Sequence, residues 1–126
     1  MDWGCVISLV AVEGIEIVGH ILFSRITAPF RALGLGPVSV KPSRQRAGIG
    51  SLLIRTGLDQ AREARWQGVL VLGDPKFYSR FRFDPDLASG FMCHYSGPHF
   101  MALALGRGLP TREGYIEYAS AFDSPG

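Results

Sequence analysis

This 126-residue chain has little of what several protein classes require. Its two cysteines, Cys5 and Cys93, lie at no spacing typical of a zinc site or a disulfide framework, so we expect reduced thiols, although folding could bring them together. Basic residues exceed acidic residues by only 13 to 11, without the clustering that nucleic-acid or membrane binding needs. No apolar run is long enough to span a membrane, and the first residues do not resemble a basic signal peptide. We therefore expect a cytoplasmic protein that uses no metal and binds neither nucleic acid nor membrane.

The apolar residues, 47% of the chain, suffice for one hydrophobic core in a chain of this length. We therefore predict a single domain over residues 1–126. Residues 5–26 hold two β-branched runs separated by Glu13 and Gly14, which predicts an antiparallel hairpin. A third strand is predicted over residues 33–40, where Gly34, Gly36 and Pro37 indicate a bulge or an incomplete ladder.

The pattern becomes helical over residues 48–64. Ile49, Leu52, Leu53, Ala61 and Ala64 share an apolar arc on this helix, with polar residues opposite. Gly57 lies within the arc, where a missing side chain permits close approach to the sheet at some cost in helix propensity.

Several shorter elements follow the helix. Residues 69–72 form a short apolar run that suits an interior strand. Asp74 and Pro75 match an N-cap and the first position of a short helix. Residues 81–89 are predicted as a turn and an edge strand, and residues 100–105 as a strand. The order of elements predicts an α/β (α+β) fold, with a mixed sheet and a central strand-helix-strand crossover.

The junction between the third strand and the helix reads RQRAGIG, residues 44–50. Its glycines leave backbone N–H groups uncovered, and a helix N-terminus favours an anion. Lys41, Arg44 and Arg46 add positive charge, so a pyrophosphate would fit this turn. A turn that uses glycine for geometry and arginine for solubility explains the same residues equally well. The absence of a Gly-Lys-Ser/Thr ending and of a third glycine three residues after Gly50 disfavours ATP and NAD loops.

Two motifs together resemble the GNAT superfamily of acetyl-CoA-dependent N-acetyltransferases. The signature Gln/Arg-x-x-Gly-x-Gly/Ala is matched by residues 45–50, QRAGIG, after an apolar strand. The segment VLVLGDPKFYSRFRFDP, residues 69–85, resembles the strand, short helix and Tyr-x-x-x-Gly-Phe segment of that superfamily. The sequence of this segment is similar to that of a bacterial subgroup of predicted acetyltransferases. The likeness to this subgroup runs from about residue 5 to residue 123. Arg82 stands where the family usually has glycine.

The resemblance implies a mostly antiparallel sheet and an acetyl-CoA site. Backbone amides of residues 46–51 would hold the CoA pyrophosphate, and main-chain groups of the third strand would hold the pantetheine arm. The implied cofactor-binding residues are Val38, Val40, Gln45, Arg46, Ala47, Gly48, Ile49, Gly50 and Ser51. Tyr78 matches a tyrosine that can protonate the departing thiolate and is the implied catalytic residue; the alternative is a core aromatic whose hydroxyl reaches solvent or a carbonyl. Phe77 is interpreted as packing and Asp74 as a helix cap.

The sequence does not identify a general base, because no two acidic residues have a spacing typical of a catalytic pair. The candidates are Glu13, Glu16, His20, His94 and His99. A water relay, or an amine that is already partly deprotonated, would also serve.

The family's domain usually opens with a strand and two helices, yet the match here begins almost at Met1. We therefore expect an N-terminally truncated version of the fold, with an exposed apolar face or unpaired edge beside residues 5–12 and a tendency to form a homodimer. The function that the resemblance implies is direct acetyl transfer from acetyl-CoA to a primary amine of an unidentified acceptor. The alternatives are a non-catalytic acyl-CoA-binding or regulatory domain, and a plain α/β interaction module.

Overall fold

The computed structural model describes residues 5–118. Its strands and helices are β1 (Cys5–Glu13), β2 (Glu16–Ile26), β3 (Ala32–Val40), α1 (Ile49–Glu63), β4 (Gly68–Leu72), α2 (Pro75–Tyr78), α3 (Pro85–Ala88), β5 (Phe91–Met92), β6 (Phe100–Ala104) and β7 (Gly114–Tyr115). Short 3-10 turns cover Pro42–Arg44 and Ser79–Phe81. None of the described helices is long and apolar enough to cross a membrane.

The main sheet has five strands in the order β1-β2-β3-β4-β6. Every neighbouring pair is antiparallel except β3 and β4, which are parallel and joined by α1. The predicted mixed, mostly antiparallel sheet with a central strand-helix-strand crossover is therefore confirmed. A separate two-stranded parallel pair is formed by β5 and β7.

The predicted hairpin and the predicted third strand are both present. Gly14 adopts φ 61° in the turn between β1 and β2, a conformation that glycine enters at little cost. The pairing of β2 with β3 shifts register between Ile21 and Phe23, opposite Gly36 and Pro37. The predicted bulge therefore lies in the second half of β3.

The core lies on both faces of the sheet. On one face, Leu53, Ile54 and Leu58 of α1 pack against strand residues that include Ile21 and Phe23. On the other face, a second cluster packs around β4 and β6; it contains Leu70, Phe91, Phe100, Ala102 and Ile116.

The buried face of α1 differs in part from the predicted arc. Leu52 is 63% exposed, whereas Ile54 and Leu58 are buried. The prediction of a close approach at Gly57 is confirmed, since a Cβ there would lie 2.1 Å from Cε1 of Phe23.

The edge strand predicted within residues 81–89 is wrong. This segment contains a turn and then α3, whose N-cap Asp84 accepts a hydrogen bond from the N–H of Asp86 at 2.8 Å. Its β character is limited to an isolated bridge between Asp84 and Ala102. Proline at the first helical position and aspartate before it favour a helix start over a strand.

The edge strands of the main sheet are β1 and β6, and β1 is the edge at which the sequence predicts exposed apolar residues. Within residues 5–118 this strand pairs with β2 alone. The valines Val6, Val10 and Val12 are exposed, and Ile17 of β2 is 62% exposed. The expected unpaired edge and exposed apolar residues are thus present in the described part of the chain. Cys5 and Cys93 are not joined by a disulfide.

Candidate active site

A cavity of about 670 Å³ opens where β3 and β4 separate. The two strands pair from Ala32 and Gly68 as far as Leu35 and Val71. Beyond that point Gly36 takes φ 135°, and β3 turns away with the register shift described above. Val38 and Val40, in the diverging half of β3, line this splay cavity. Main-chain groups that a regular ladder would pair are therefore available beside the cavity.

The N-terminus of α1 forms another wall of the splay cavity. Gly48 is the N-cap and adopts φ 83°, which favours glycine, and no side chain caps the helix. The first turn of a helix has N–H groups without intrahelical partners, together with the positive end of the helix dipole. A Cβ on Gly48 would meet nothing within 4 Å, so this backbone borders open space. The turn has the geometry of an anion site.

Two of the three cations predicted around this turn are paired with carboxylates of the β1–β2 hairpin. Arg44 donates two hydrogen bonds to Glu13, at 2.6 and 2.8 Å, and Lys41 forms an ion pair with Glu16. Arg46, at φ 68°, forms no ion pair with the described residues. The positive charge available to an anion is therefore smaller than the sequence indicated.

Gln45 has a structural contact of its own. Its side-chain amide donates to the carbonyl oxygen of Val40 at 3.1 Å. This bond ties the loop before α1 to the end of β3, so the two walls of the splay cavity are held together.

Tyr78 reaches the splay cavity from α2. Asp74 caps this helix by accepting from the N–H of Lys76 at 3.0 Å, as predicted. The Tyr78 ring lies against Gly73 and makes edge contacts with Phe77 and Phe83, at centroid distances of 5.0 and 5.8 Å. Its hydroxyl forms no hydrogen bond to any described residue, so it is available to a ligand.

Burial raises the pKa of Tyr78 above its ordinary value. Desolvation is the cause, because it disfavours the charged phenolate relative to the neutral phenol. Tyr78 therefore remains protonated at neutral pH and can act as a proton donor.

The structure brings most of the predicted site residues to the same cavity. All of them except Ala47 line it. Sequence analysis gave no role to Arg80, which also lines the cavity and whose guanidinium carbon lies 5.2 Å from the centroid of the Phe77 ring. Arg80 lies in a short 3-10 turn after α2. Such a turn is too short to show a helical period in the sequence, so the direction of the Arg80 side chain could not be predicted.

None of the five candidate bases lines the splay cavity. Glu13 and Glu16 are held in the ion pairs described above. His20 lies 3.2 Å from the hydroxyl of Ser8, and His94 packs edge-on against Tyr95. His99 donates from Nδ1 to the carbonyl oxygen of Gly73 at 3.1 Å.

Arg82, which stands in place of the expected glycine, has φ 72° and ψ 17°. This is the left-handed region, which glycine enters readily and other residues enter at a cost. Position 82 therefore has the backbone conformation that favours glycine, although the residue there is arginine.

The Acetyltransferase (GNAT) family matches residues 2–83 of the chain. The chain belongs to this family. It is 40% identical over 85 residues to the uncharacterized N-acetyltransferase YjhQ of Escherichia coli (strain K12), a match that covers 63% of this chain and 46% of that protein. YhbS of the same organism is 29% identical over 85 residues, which are 65% of this chain and 51% of YhbS. The chain thus spans about half the length of these curated relatives.

Solved structures share the fold of this GNAT chain. The crystal structure of YhbS from Escherichia coli in complex with CoA superposes with a TM-score of 0.87 at 27% identity, covering 99% of this chain and 73% of YhbS. A GNAT family acetyltransferase from Brucella melitensis in complex with acetyl-CoA gives a TM-score of 0.74 at 42% identity, covering 92% of this chain and 68% of that one.

Proposed function

We propose that the chain is an N-acetyltransferase that moves an acetyl group from acetyl-CoA to a primary amine by direct attack. One observation carries the proposal: a single cavity joins an uncapped helix N-terminus, the diverging half of β3 and a protonated tyrosine. These parts suit a pyrophosphate, an extended amide-containing arm and a leaving thiolate, respectively. The structures of similar proteins with CoA or acetyl-CoA support the same assignment.

In this mechanism the amides at the start of α1 and the Arg46 side chain bind the pyrophosphate of acetyl-CoA. Main-chain groups of Val38 and Val40 hydrogen-bond the pantetheine arm and hold the thioester near Tyr78. A neutral amine attacks the thioester carbonyl carbon, and the C–N bond forms as the carbonyl becomes an oxyanion. When the oxyanion collapses, the C–S bond breaks and the sulfur takes the proton of the Tyr78 hydroxyl. The amine nitrogen loses its extra proton to water, and bulk solvent reprotonates Tyr78.

A non-catalytic acyl-CoA-binding domain is the second candidate. It is favoured by the position of the acidic and histidine side chains, none of which lines the splay cavity. The two functions share CoA binding and differ in turnover, so two measurements separate them.

The first measurement is thermal unfolding with acetyl-CoA, CoA or ATP. At 100 times the dissociation constant, a ligand of the native state adds about 2.7 kcal/mol to the free energy of unfolding, which raises the midpoint by roughly 10 °C in a chain of this size. We expect both CoA species to give such a shift and ATP to give less. Arg46→Gln should reduce the shift, whereas Arg62→Gln, an equal change of charge at the far end of α1, should not. No shift with either CoA species would remove both candidate functions.

The second measurement is release of CoA from acetyl-CoA in a screen of primary amines. Tyr78→Phe keeps the ring and removes the hydroxyl, so turnover should fall by about 10²-fold or more while the thermal shift with acetyl-CoA is kept. Turnover in the variant equal to that of the native chain would exclude Tyr78 as the proton donor. Binding without turnover of any amine would favour the non-catalytic domain.

A further inference from the structure

The splay cavity is lined by three arginines, Arg44, Arg46 and Arg80, and by no acidic residue. Arg46 and Arg80 form no ion pair with the described residues. Arg44 differs from them, because it donates two hydrogen bonds to Glu13, a residue outside the cavity lining. A carboxylate of the β1–β2 hairpin thus holds one of the three cations in the cavity proposed above for the pyrophosphate.

The ion pair occupies one edge of the Arg44 guanidinium. Nε donates to Oε1 of Glu13 at 2.6 Å, and Nη2 donates to Oε2 at 2.8 Å. A phosphate that bound this edge would have to displace the carboxylate. A phosphate that bound the opposite edge, through Nη1 and the second N–H of Nη2, would have the carboxylate only one guanidinium away. In both arrangements the charge of Glu13 weakens the binding of an anion.

The end of the hairpin carries two carboxylates whose partners differ. Glu13 and Glu16 are register partners there, and the N–H of Lys41 donates to the carbonyl oxygen of Val18 at 2.8 Å, which joins the residue after β3 to β2. Glu16 pairs with Lys41, which does not line the splay cavity, whereas Glu13 pairs with Arg44, which does. Glu16 therefore provides a matched control for Glu13.

The pair of Glu13 with Arg44 can open at small cost. Its side chains are 48% and 41% exposed, respectively. Ion pairs with this exposure contribute little to stability, because water solvates and screens both charges. Arg44 can therefore exchange Glu13 for a phosphate oxygen, and replacement of Glu13 leaves the fold intact.

We propose, on the basis of the function proposed above, that Glu13 limits the affinity of the chain for acetyl-CoA and CoA by competing with their pyrophosphate for Arg44. Glu13 is then a positioning residue, since it acts on the ligand through Arg44. The pyrophosphate is common to substrate and product, so a contact to it binds both equally and does not lower the barrier to acetyl transfer. A weaker contact lets CoA dissociate sooner, which raises turnover where product release is the slow step.

Binding is measured first, by calorimetric titration with CoA at low ionic strength. Glu13→Gln keeps the length of the side chain and removes its charge, and we expect it to lower the dissociation constant about threefold to tenfold. Glu16→Gln makes the same change at the register partner, and we expect an effect of less than about twofold. Equal affinity in Glu13→Gln and the native chain, or equal gains in the two variants, would overturn the proposal.

Arg44→Gln tests whether the effect passes through Arg44. In this background we expect Glu13→Gln to change CoA affinity by less than about twofold, because no guanidinium remains to be released. The same gain in both backgrounds would show a general effect of charge and refute the competition. Dephospho-CoA keeps the pyrophosphate and lacks the 3′-phosphate, so it should show the same gain as CoA. Loss of the gain with dephospho-CoA would refute the pyrophosphate as the competing group.

Kinetics separate this role from a purely structural one. Glu13→Gln should lower the KM for acetyl-CoA and the inhibition constant of CoA by a similar factor, with kcat equal to or below the native value. A higher kcat in Glu13→Gln would contradict the proposal. Failure of the native chain to bind either CoA species refutes the acetyltransferase function and the role of Glu13 together. Binding of both species with no gain in Glu13→Gln refutes the role of Glu13 alone.

Discussion

Gly73 sets the position of the Tyr78 ring, and its replacement by alanine tests the role of Tyr78 without removing the hydroxyl. A Cβ at Gly73 would lie 2.5 Å from Cε2 and 3.0 Å from Cδ2 of Tyr78. The Gly73 backbone cannot move away easily, because its N–H donates to the His99 carbonyl at 3.0 Å and its carbonyl accepts from His99 Nδ1 at 3.1 Å. Its φ is outside the left-handed region, so alanine itself fits the backbone. The ring must therefore move.

The size of this movement sets the expected loss of activity. Ordinary carbon–carbon contact needs about 3.5 Å, so the ring must retreat by roughly 1 Å. Misplacing a reacting group by about 1 Å costs on the order of 10²-fold in rate. We therefore expect Gly73→Ala to lower kcat by about 10-fold to 100-fold. The dissociation constant of acetyl-CoA should change by less than about twofold, because the proposed pyrophosphate contacts belong to α1 and the loop before it.

The assay is release of CoA with the most active primary amine from the screen, paired with thermal shift by acetyl-CoA. Gly106→Ala is the matched control, since a Cβ at Gly106 meets nothing within 4 Å. The reasoning is refuted if Gly73→Ala keeps native kcat while Tyr78→Phe loses it. A loss of acetyl-CoA affinity as large as the loss of kcat would also refute it, because the defect would then lie in binding.

Two further predictions concern stability and are read by urea denaturation. Arg82→Gly should raise the free energy of unfolding by about 0.5–1 kcal/mol, because the strain relieved in the left-handed conformation exceeds the entropic cost that glycine adds through the unfolded chain. An unchanged or lower free energy of unfolding would contradict strain at φ 72°. Gly57→Ala should destabilise by about 1–2 kcal/mol although alanine favours helix, because its Cβ would lie 2.1 Å from Cε1 of Phe23, a fully buried ring. Adding Phe23→Leu should make the alanine substitution less costly, and a stabilising effect of Gly57→Ala alone would disprove the clash.

Local signals predicted most of the fold. A glycine turn between β-branched runs, an amphipathic period and a short apolar run defined β1, β2, α1 and β4, because each depends on neighbours in sequence. The wrong edge strand at residues 81–89 arose from the alternation of Phe81 and Phe83, which imitates a strand. The Asp84-Pro85 pair carried the same capping signal as Asp74-Pro75, and that signal was the more reliable one.

Electrostatics around the RQRAGIG turn were less predictable. The pairing of Arg44 with Glu13 joins residues 31 apart in sequence, and that of Lys41 with Glu16 joins residues 25 apart. Both depend on how the hairpin of β1 and β2 lies against the end of β3. Charge near a motif in sequence therefore overestimates the charge available to a ligand, since hairpin carboxylates also approach the turn.

The two cavities differ in how much of each a sequence can reveal, and the reason is topological. The splay cavity is lined by two short segments, residues 38–51 and 77–80, so neighbouring residues and their spacing carry its signal. A second cavity, of about 510 Å³, combines Thr27 with residues 92–95 and 115–118, and these come together only when the β5–β7 pair packs on the far face of the sheet. No local period connects three such distant pieces. A family signature in the walls of the splay cavity therefore carries no information on what the rest of the fold binds.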